Sequence, residues 1–233
     1  MVSRVTYRPF DEDDFEDIAT ILQEAWHTEV PSPEYGYLEA CNDLSYSLSI
    51  SSFSQVALVD GVPRGIVLAR PEANRVQQSK RWFTISEGYF RRMRELEPEA
   101  AAWYWRSVEL MGTKNDNLLK ATPYSTGANE ITLLAVSESA RGMGIGSVLI
   151  DAATAYLAEG GANRAFLYTD TDCTWQFYEN HGFKRASHVP QHARGAPPAP
   201  SRAVRLRAGS ERLRRGAPNT FGTAPHRLSR TSG

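Results

Sequence analysis

The 233-residue chain carries a formal charge of −1, is 41% hydrophobic and 10% aromatic, and contains two cysteines. That is enough apolar residue for one packed domain with an appendage, and no apolar run approaches a bilayer span, which excludes an integral membrane protein built on helices. Cys41 and Cys173 form neither a disulfide framework nor a zinc site, and the N-terminus lacks the apolar centre of a secretory signal, so a soluble cytoplasmic protein is expected.

Alternation along residues 1–190 predicts a mixed α/β domain. Val2–Pro9 reads as a short strand with Val5 and Tyr7 on one face. Asp11–Asp14 then place acids at the start of an amphipathic helix whose apolar face includes Phe15, Ile18, Ile21, Leu22 and Ala25. A second helix is expected over Tyr37–Ser49. Gln55–Val59 and Gly65–Ala69 read as strands joined through Asp60-Gly61, a hairpin signal that makes them antiparallel.

Residues 71–128 interrupt this pattern with a helical insertion, broken in two at Pro98. The insertion is unusually aromatic (Trp82, Phe83, Tyr89, Phe90, Trp103, Tyr104, Trp105), and such a cluster at helical spacing is ordinarily core. Glu130–Val136 is apolar enough for a buried strand, and Ser147–Gly160 is a helix with a wide apolar face of Val148, Leu149, Ala152, Ala153, Tyr156 and Leu157. Between them lies Arg141-Gly142-Met143-Gly144-Ile145-Gly146. Glycines at alternate positions let backbone N–H groups converge ahead of a helix N-terminus, which favours a phosphate or pyrophosphate, and Arg141 adds a charge suited to its oxygens. The spacing is neither a dinucleotide fingerprint nor a P-loop. Physical reasoning alone gives an anion-binding strand, loop and helix.

The run LAVSESARGMGIGSVLI resembles the cofactor motif of the GCN5-related N-acetyltransferase (GNAT) family, with Arg141, Gly144 and Gly146 in its (R/Q)-x-x-G-x-(G/A) signature. Phe177-Tyr178-Glu179-Asn180-His181-Gly182-Phe183 is similar to a second family element, and Arg164–Thr169 sits where the family has its fifth strand. The resemblance implies a mixed, mostly antiparallel sheet flanked by helices, and direct acetyl transfer from acetyl-CoA to a primary amine of a small molecule or peptide. It implies that the amides of Arg141, Gly142, Met143, Gly144, Ile145, Gly146 and Ser147 hold the CoA pyrophosphate. Leu134 and Val136 would lie on the strand that bonds pantetheine, and Tyr178 would be the general acid that protonates the departing thiolate. Glu130 falls near the position of a family general base, with a solvated strand-end charge as its competing reading. The asparagine that many members carry seven residues before the tyrosine is Thr171 here; Asp170, Asp172 and Thr171 are the alternatives for that contact. A catalytically idle acyl-CoA-binding module on the same fold is the alternative function. No metal is implied.

By its place in this fold the insertion is an expected acceptor lid, whose aromatics and Glu87, Glu95, Glu97, Glu99 and Glu109 would hold a cationic amine; packing or homodimerisation is the competing use. Residues 191–233 hold nine Arg, no Lys and one acid, Glu211, for a net charge of +8 against −9 for the preceding 190. Rich in Arg, Pro, Ala and Gly without sustained period, this tail is expected to be disordered or to be out-of-frame sequence. With Phe221 its only aromatic, it argues against a nucleic-acid partner. The family's last hairpin would need Phe183–Val189 and, from inside the tail, Ala203–Ala208.

Overall fold

A computed structural model describes residues 3–72, 78–121, 129–169, 175–185, 187–188 and 204–208, the last two segments as backbone. The first strand, β1 (Val5–Arg8), leads into a 3-10 turn at Glu12–Asp14 capped by Asp11. Asp14 accepts from Arg8 at 2.6 Å and from the Asp11 backbone N–H at 2.8 Å, which fixes the angle at which helix α1 (Phe15–Trp26) leaves the strand. Helix α2 (Pro33–Ile50) starts four residues before the sequence expectation, because Ser32 caps it and Pro33 occupies its first turn, where a missing N–H costs nothing.

Strands β2 (Phe53–Val59) and β3 (Val62–Arg70) form the expected antiparallel hairpin, with Asp60 at φ 52° and Gly61 at φ 86° supplying its turn. The insertion is two helices, α3 (Lys80–Leu96) and α4 (Pro98–Lys120), separated by Glu97 alone, so the break falls at the expected proline. Then come β4 (Asn129–Val136), α5 (Ile145–Glu159), β5 (Ala165–Thr169), the short α6 (Trp175–Asn180), β6 (Ser187–His188) and β7 (Val204–Ala208). The described strands make one sheet in the order β1-β2-β3-β4-β5-β7-β6, antiparallel throughout except for the parallel pair β4–β5. The mixed, mostly antiparallel architecture is therefore as expected. Within the tail, β7 is described and supplies the second strand of the last hairpin; the other tail residues lie outside the described segments.

Side-chain alternation on β3 divides the core. Val67 and Ala69 face α5 and meet Leu149, Ile150, Ala153 and Leu157, while Ile66 and Leu68 face α1 and α2 and meet Ile18, Leu22 and Leu44. All of these are essentially inaccessible, and each large aliphatic among them contributes about 1.5–3 kcal/mol by burial. Helix α3 lies outside α1 and α2, where Trp82 and Tyr89 stack on Phe15 at 5.7 and 5.9 Å. The insertion's aromatics are thus partly core, as expected, whereas Trp103 and Trp105 remain 37% and 48% exposed.

Candidate cofactor and acceptor site

The site is set by what β4 does between its neighbours. Against β3 its register jumps: Ala69 pairs with Ile131 but Leu68 with Leu133, so Thr132 is an extra residue in the strand. Its hydroxyl lies 2.6 Å from that of Ser51, which anchors this bulge to the end of α2. Because of the bulge, Glu130 and Leu133 share the α1/α2 face, while Ile131, Leu134 and Val136 face α5. Against β5 the strand pairs only through Asn129–Ala165 and Glu130–Phe166. Beyond those residues the two strands part, and the remaining length of β4, with Leu134 and Val136, borders the opening.

Beyond the C-terminal end of β4 lies the glycine loop. Ser137 donates its N–H to Arg64 O, and a 3-10 turn at Glu138–Ala140 leads into Arg141. Gly142 at φ 80° and Gly144 at φ 76° then occupy the left-handed region, where a Cβ is strained. Ser147 and Val148 N–H both turn back to Gly144 O. Among the described residues, none accepts from the five backbone N–H groups of Gly142, Met143, Gly144, Ile145 and Gly146. Buried Ile145 holds the start of α5 against the sheet, and the exposed Arg141 stands beside this run of donors. A string of uncommitted amides at a helix N-terminus with a guanidinium alongside fits a pyrophosphate.

Gly146 links this loop to the second motif. A Cβ built there would meet the Phe177 ring at 3.2 Å, a tight contact, so glycine lets α6 approach α5 without displacing that ring. The Tyr178 ring packs edge-on to Phe177 and Phe183 at 5.2 and 6.2 Å and is half-buried against the α5-side core. His181 Nδ1 sits 2.7 Å from Phe177 O, and its backbone N–H also reaches that carbonyl, so His181 closes the helix. The structure thus brings Leu134, Val136, the loop 141–147 and Tyr178 to the same side of the sheet. Asp170, Thr171, Asp172 and Cys173 lie outside the described residues.

Glu130 stands apart from this group, on the other face. It is 8% exposed, and Arg70, opposite it on β3, donates from Nη2 at 2.6 Å and from Nε at 3.0 Å, both to Oε2. Arg70 escaped the sequence reading because it falls one residue beyond the apolar run that marked β3; only the register places it against Glu130. A second polar cluster was also not foreseen. His27, at the end of α1, meets Glu39 Oε2 through Nδ1 at 3.0 Å and lies 3.2 Å through Nε2 from Asp43 Oδ2 in ion-pair geometry. Burial alone lowers the basicity of this imidazole, but its contacts with Asp43 and Glu39 outweigh burial and raise its pKa to about 9. Tyr104 of α4 completes the cluster, donating toward Asp43 Oδ1 at 2.5 Å and close to Asn42 Oδ1 at 2.8 Å.

A sheet parted at its one parallel pair, with a donor-rich glycine loop at the end of the parting strand, defines the class as an N-acetyltransferase fold. The chain belongs to the Acetyltransferase (GNAT) family, whose family model matches residues 15–183. Among solved structures it is similar to a GCN5-related N-acetyltransferase from Kribbella flavida, with 14% identity, 88% of this chain and 97% of that one covered, and a TM-score of 0.50. It is similar too to a Corynebacterium glutamicum protein described as histone acetyltransferase HPA2 and related acetyltransferase (17% identity, 90% and 97% covered, TM-score 0.50). Ard1 from Thermoplasma volcanium matches at 20% identity, with 88% and 97% covered and a TM-score of 0.49. At these identities the likeness is one of fold. No curated protein sequence matches the chain.

Proposed function

We propose that the protein moves an acetyl group from acetyl-CoA to a primary amine of a small molecule or peptide by direct attack on the thioester. The observation that carries this reading is the joint geometry of the β4–β5 parting and the loop at its end. The pyrophosphate would sit on the amides of residues 141–147, with Arg141 neutralising part of its charge. The pantetheine arm would run along β4 at Leu134 and Val136, bonded through the strand's edge, which β5 leaves unpaired beyond Glu130. This places the thioester where the two strands part, reachable by an amine from the α1/α2 face. Holding both reactants there supplies the orientation on which a direct transfer depends.

Tyr178 follows Phe177, whose ring touches the loop helix at Gly146, so it is the described phenol best placed to protonate the departing thiolate. Glu130 is the base of this reading. Oε2 is fixed by Arg70, and among the described residues none donates to Oε1, which is left to take the amine proton directly or through water. The same Arg70 contact is the observation that favours the alternative, a module that binds acyl-CoA without turnover, because an ion pair between neighbouring strands gives the carboxylate a structural use of its own.

Calorimetric titration of acetyl-CoA into the full chain tests the cofactor half of the reading. Micromolar binding that disappears in Gly144→Glu is the expected result, since that substitution puts a strained Cβ and an anion among the phosphate donors. An affinity unchanged in the variant would refute the loop assignment. Binding without acetylation of any amine would select the idle module.

A further inference from the structure

Helix α4 carries apolar side chains on a flank that the other described residues leave uncovered. Of its 23 residues only Ala101, Leu118 and Leu119 are buried. Tyr104 is drawn onto α2 by its bonds to Asn42 and Asp43, and Trp105 leans on Phe90 of α3. Trp103 and Leu110 stand roughly 100° or more around the helix from Tyr104. They are 37% and 50% exposed and join none of the apolar clusters that form the core. A tryptophan and a leucine left in water on one flank of a helix, while another side packs, mark a face with something still to bind.

The charges around this pair are placed symmetrically. Glu99 precedes Trp103 by four residues and Lys114 follows Leu110 by four, so the four side chains form one stripe that reads acid, apolar, apolar, base. At helical spacing they fall within about 60° of one another over a length of roughly 22 Å. Among the described residues neither Glu99 nor Lys114 has an ion-pair partner. Two copies of the stripe laid parallel would set Glu99 against Glu99 and Lys114 against Lys114. Laid antiparallel about a two-fold axis between Arg106 and Ser107, they match: Trp103 meets Leu110 of the second copy, and Glu99 meets its Lys114.

We infer that α4 is a homodimerisation helix whose Glu99–Lys114 stripe pairs antiparallel with the same stripe of a second copy. A second copy fits better than an unrelated protein because the stripe supplies both halves of each contact, and two-fold symmetry uses every contact twice. Arg106, exposed near the axis, stays at the rim with Glu109 one turn along the same helix. One helix pair is a small interface, so the dimer should dissociate in the roughly micromolar range. The inference stands on α4 and is independent of the acetyl-transfer reading.

Sedimentation equilibrium of the full chain between about 1 and 300 µM tests it, and the mass should rise from that of one chain to that of two. Leu110→Glu sets a charge against Trp103 at both contacts and should weaken association roughly a hundredfold or more. Val62→Glu, at an exposed apolar position on the β2–β3 hairpin, should leave association unchanged. Glu99→Lys and Lys114→Glu should each weaken it about tenfold by opposing like charges twice, and the two together should restore it to within about threefold of native. All the α4 positions lie outside the buried set of the helix, and thermal unfolding of each variant checks the fold. A chain that stays monomeric throughout, association indifferent to Leu110→Glu, or a double exchange no tighter than the single ones would each overturn the antiparallel pairing. Cover of the stripe by another segment of the same chain, or by a different protein, would show as the first of these.

Discussion

The His27 cluster allows a quantitative prediction about stability. His27 holds the end of α1 against α2 through Glu39 and Asp43, and Asp43 in turn receives Tyr104 from α4, so the cluster ties three helices together. Its imidazole pKa rises from 6.5 in the unfolded chain to about 9 in the fold. A group whose folded pKa lies above its unfolded value contributes stability that is fully present below the lower value and is lost as pH passes the higher one. Between pH 6.5 and 9 the folded state carries one proton that the unfolded chain lacks, so the contribution falls by about 1.4 kcal/mol per pH unit. Across the whole window this amounts to about 3 kcal/mol. His27→Gln keeps a polar side chain beside Glu39 and removes the titration. Urea unfolding of the native chain and the variant at pH 6, 7, 8 and 9 isolates the effect as a difference: the native advantage should be largest at pH 6 and nearly gone at pH 9. Parallel stability curves for the two proteins would refute the assignment of a charged, buried His27.

Two further predictions concern the proposed catalytic machinery. Tyr178→Phe preserves the ring contacts with Phe177 and Phe183 while removing the hydroxyl, so kcat should fall roughly a hundredfold with acetyl-CoA affinity within about twofold, as read by steady-state kinetics beside calorimetry. An unchanged kcat would remove Tyr178 from the chemistry. Gly146→Val drives a branched side chain into the Phe177 ring, and overpacking of this kind costs about 1–3 kcal/mol. Thermal unfolding should show the loss, and because the strain separates α5 from α6, acetyl-CoA affinity should drop as well; a variant as stable as the native chain would show that the approach is not tight.

How far the sequence disclosed this structure depended on whether each signal was local. The hairpin at Asp60-Gly61, the helix break at Pro98 and the glycine loop were legible because each is fixed by the backbone preferences of one or two residues. Strand limits were less so: β3 runs to Arg70 because pairing with Glu130 of β4 extends it, a partner 60 residues away that alternation does not reveal. The exposed Trp103 and Trp105 were read as part of an aromatic cluster, yet α4 leaves α3 soon after Trp105 meets Phe90, and only Tyr104 is drawn into the buried contact with α2. Periodicity says which face of a helix is apolar, not whether anything lies beneath it.

The parting of β4 from β5 gives that last point its functional weight. Everything proposed to hold acetyl-CoA is on or beside β4 and α5, which share the α5-side core with the centre of the sheet and are among its best-buried elements. The proposed acceptor side has a different construction. Helix α4, the second helix of the insertion between β3 and β4, packs in two small clusters: Ala101 with Tyr35, Leu38 and Met93 at one end, Leu119 with Phe166 at the other. Elements with little buried apolar contact open at lower free energy than a domain's core. The fold therefore separates a well-buried cofactor platform from a more lightly packed helix α4. Substitutions at exposed positions along the middle of α4, such as Val108→Ala, should accordingly leave the affinity for acetyl-CoA within about twofold of the native value by calorimetry, because among the described residues the core under β4 and α5 contains no α4 side chain.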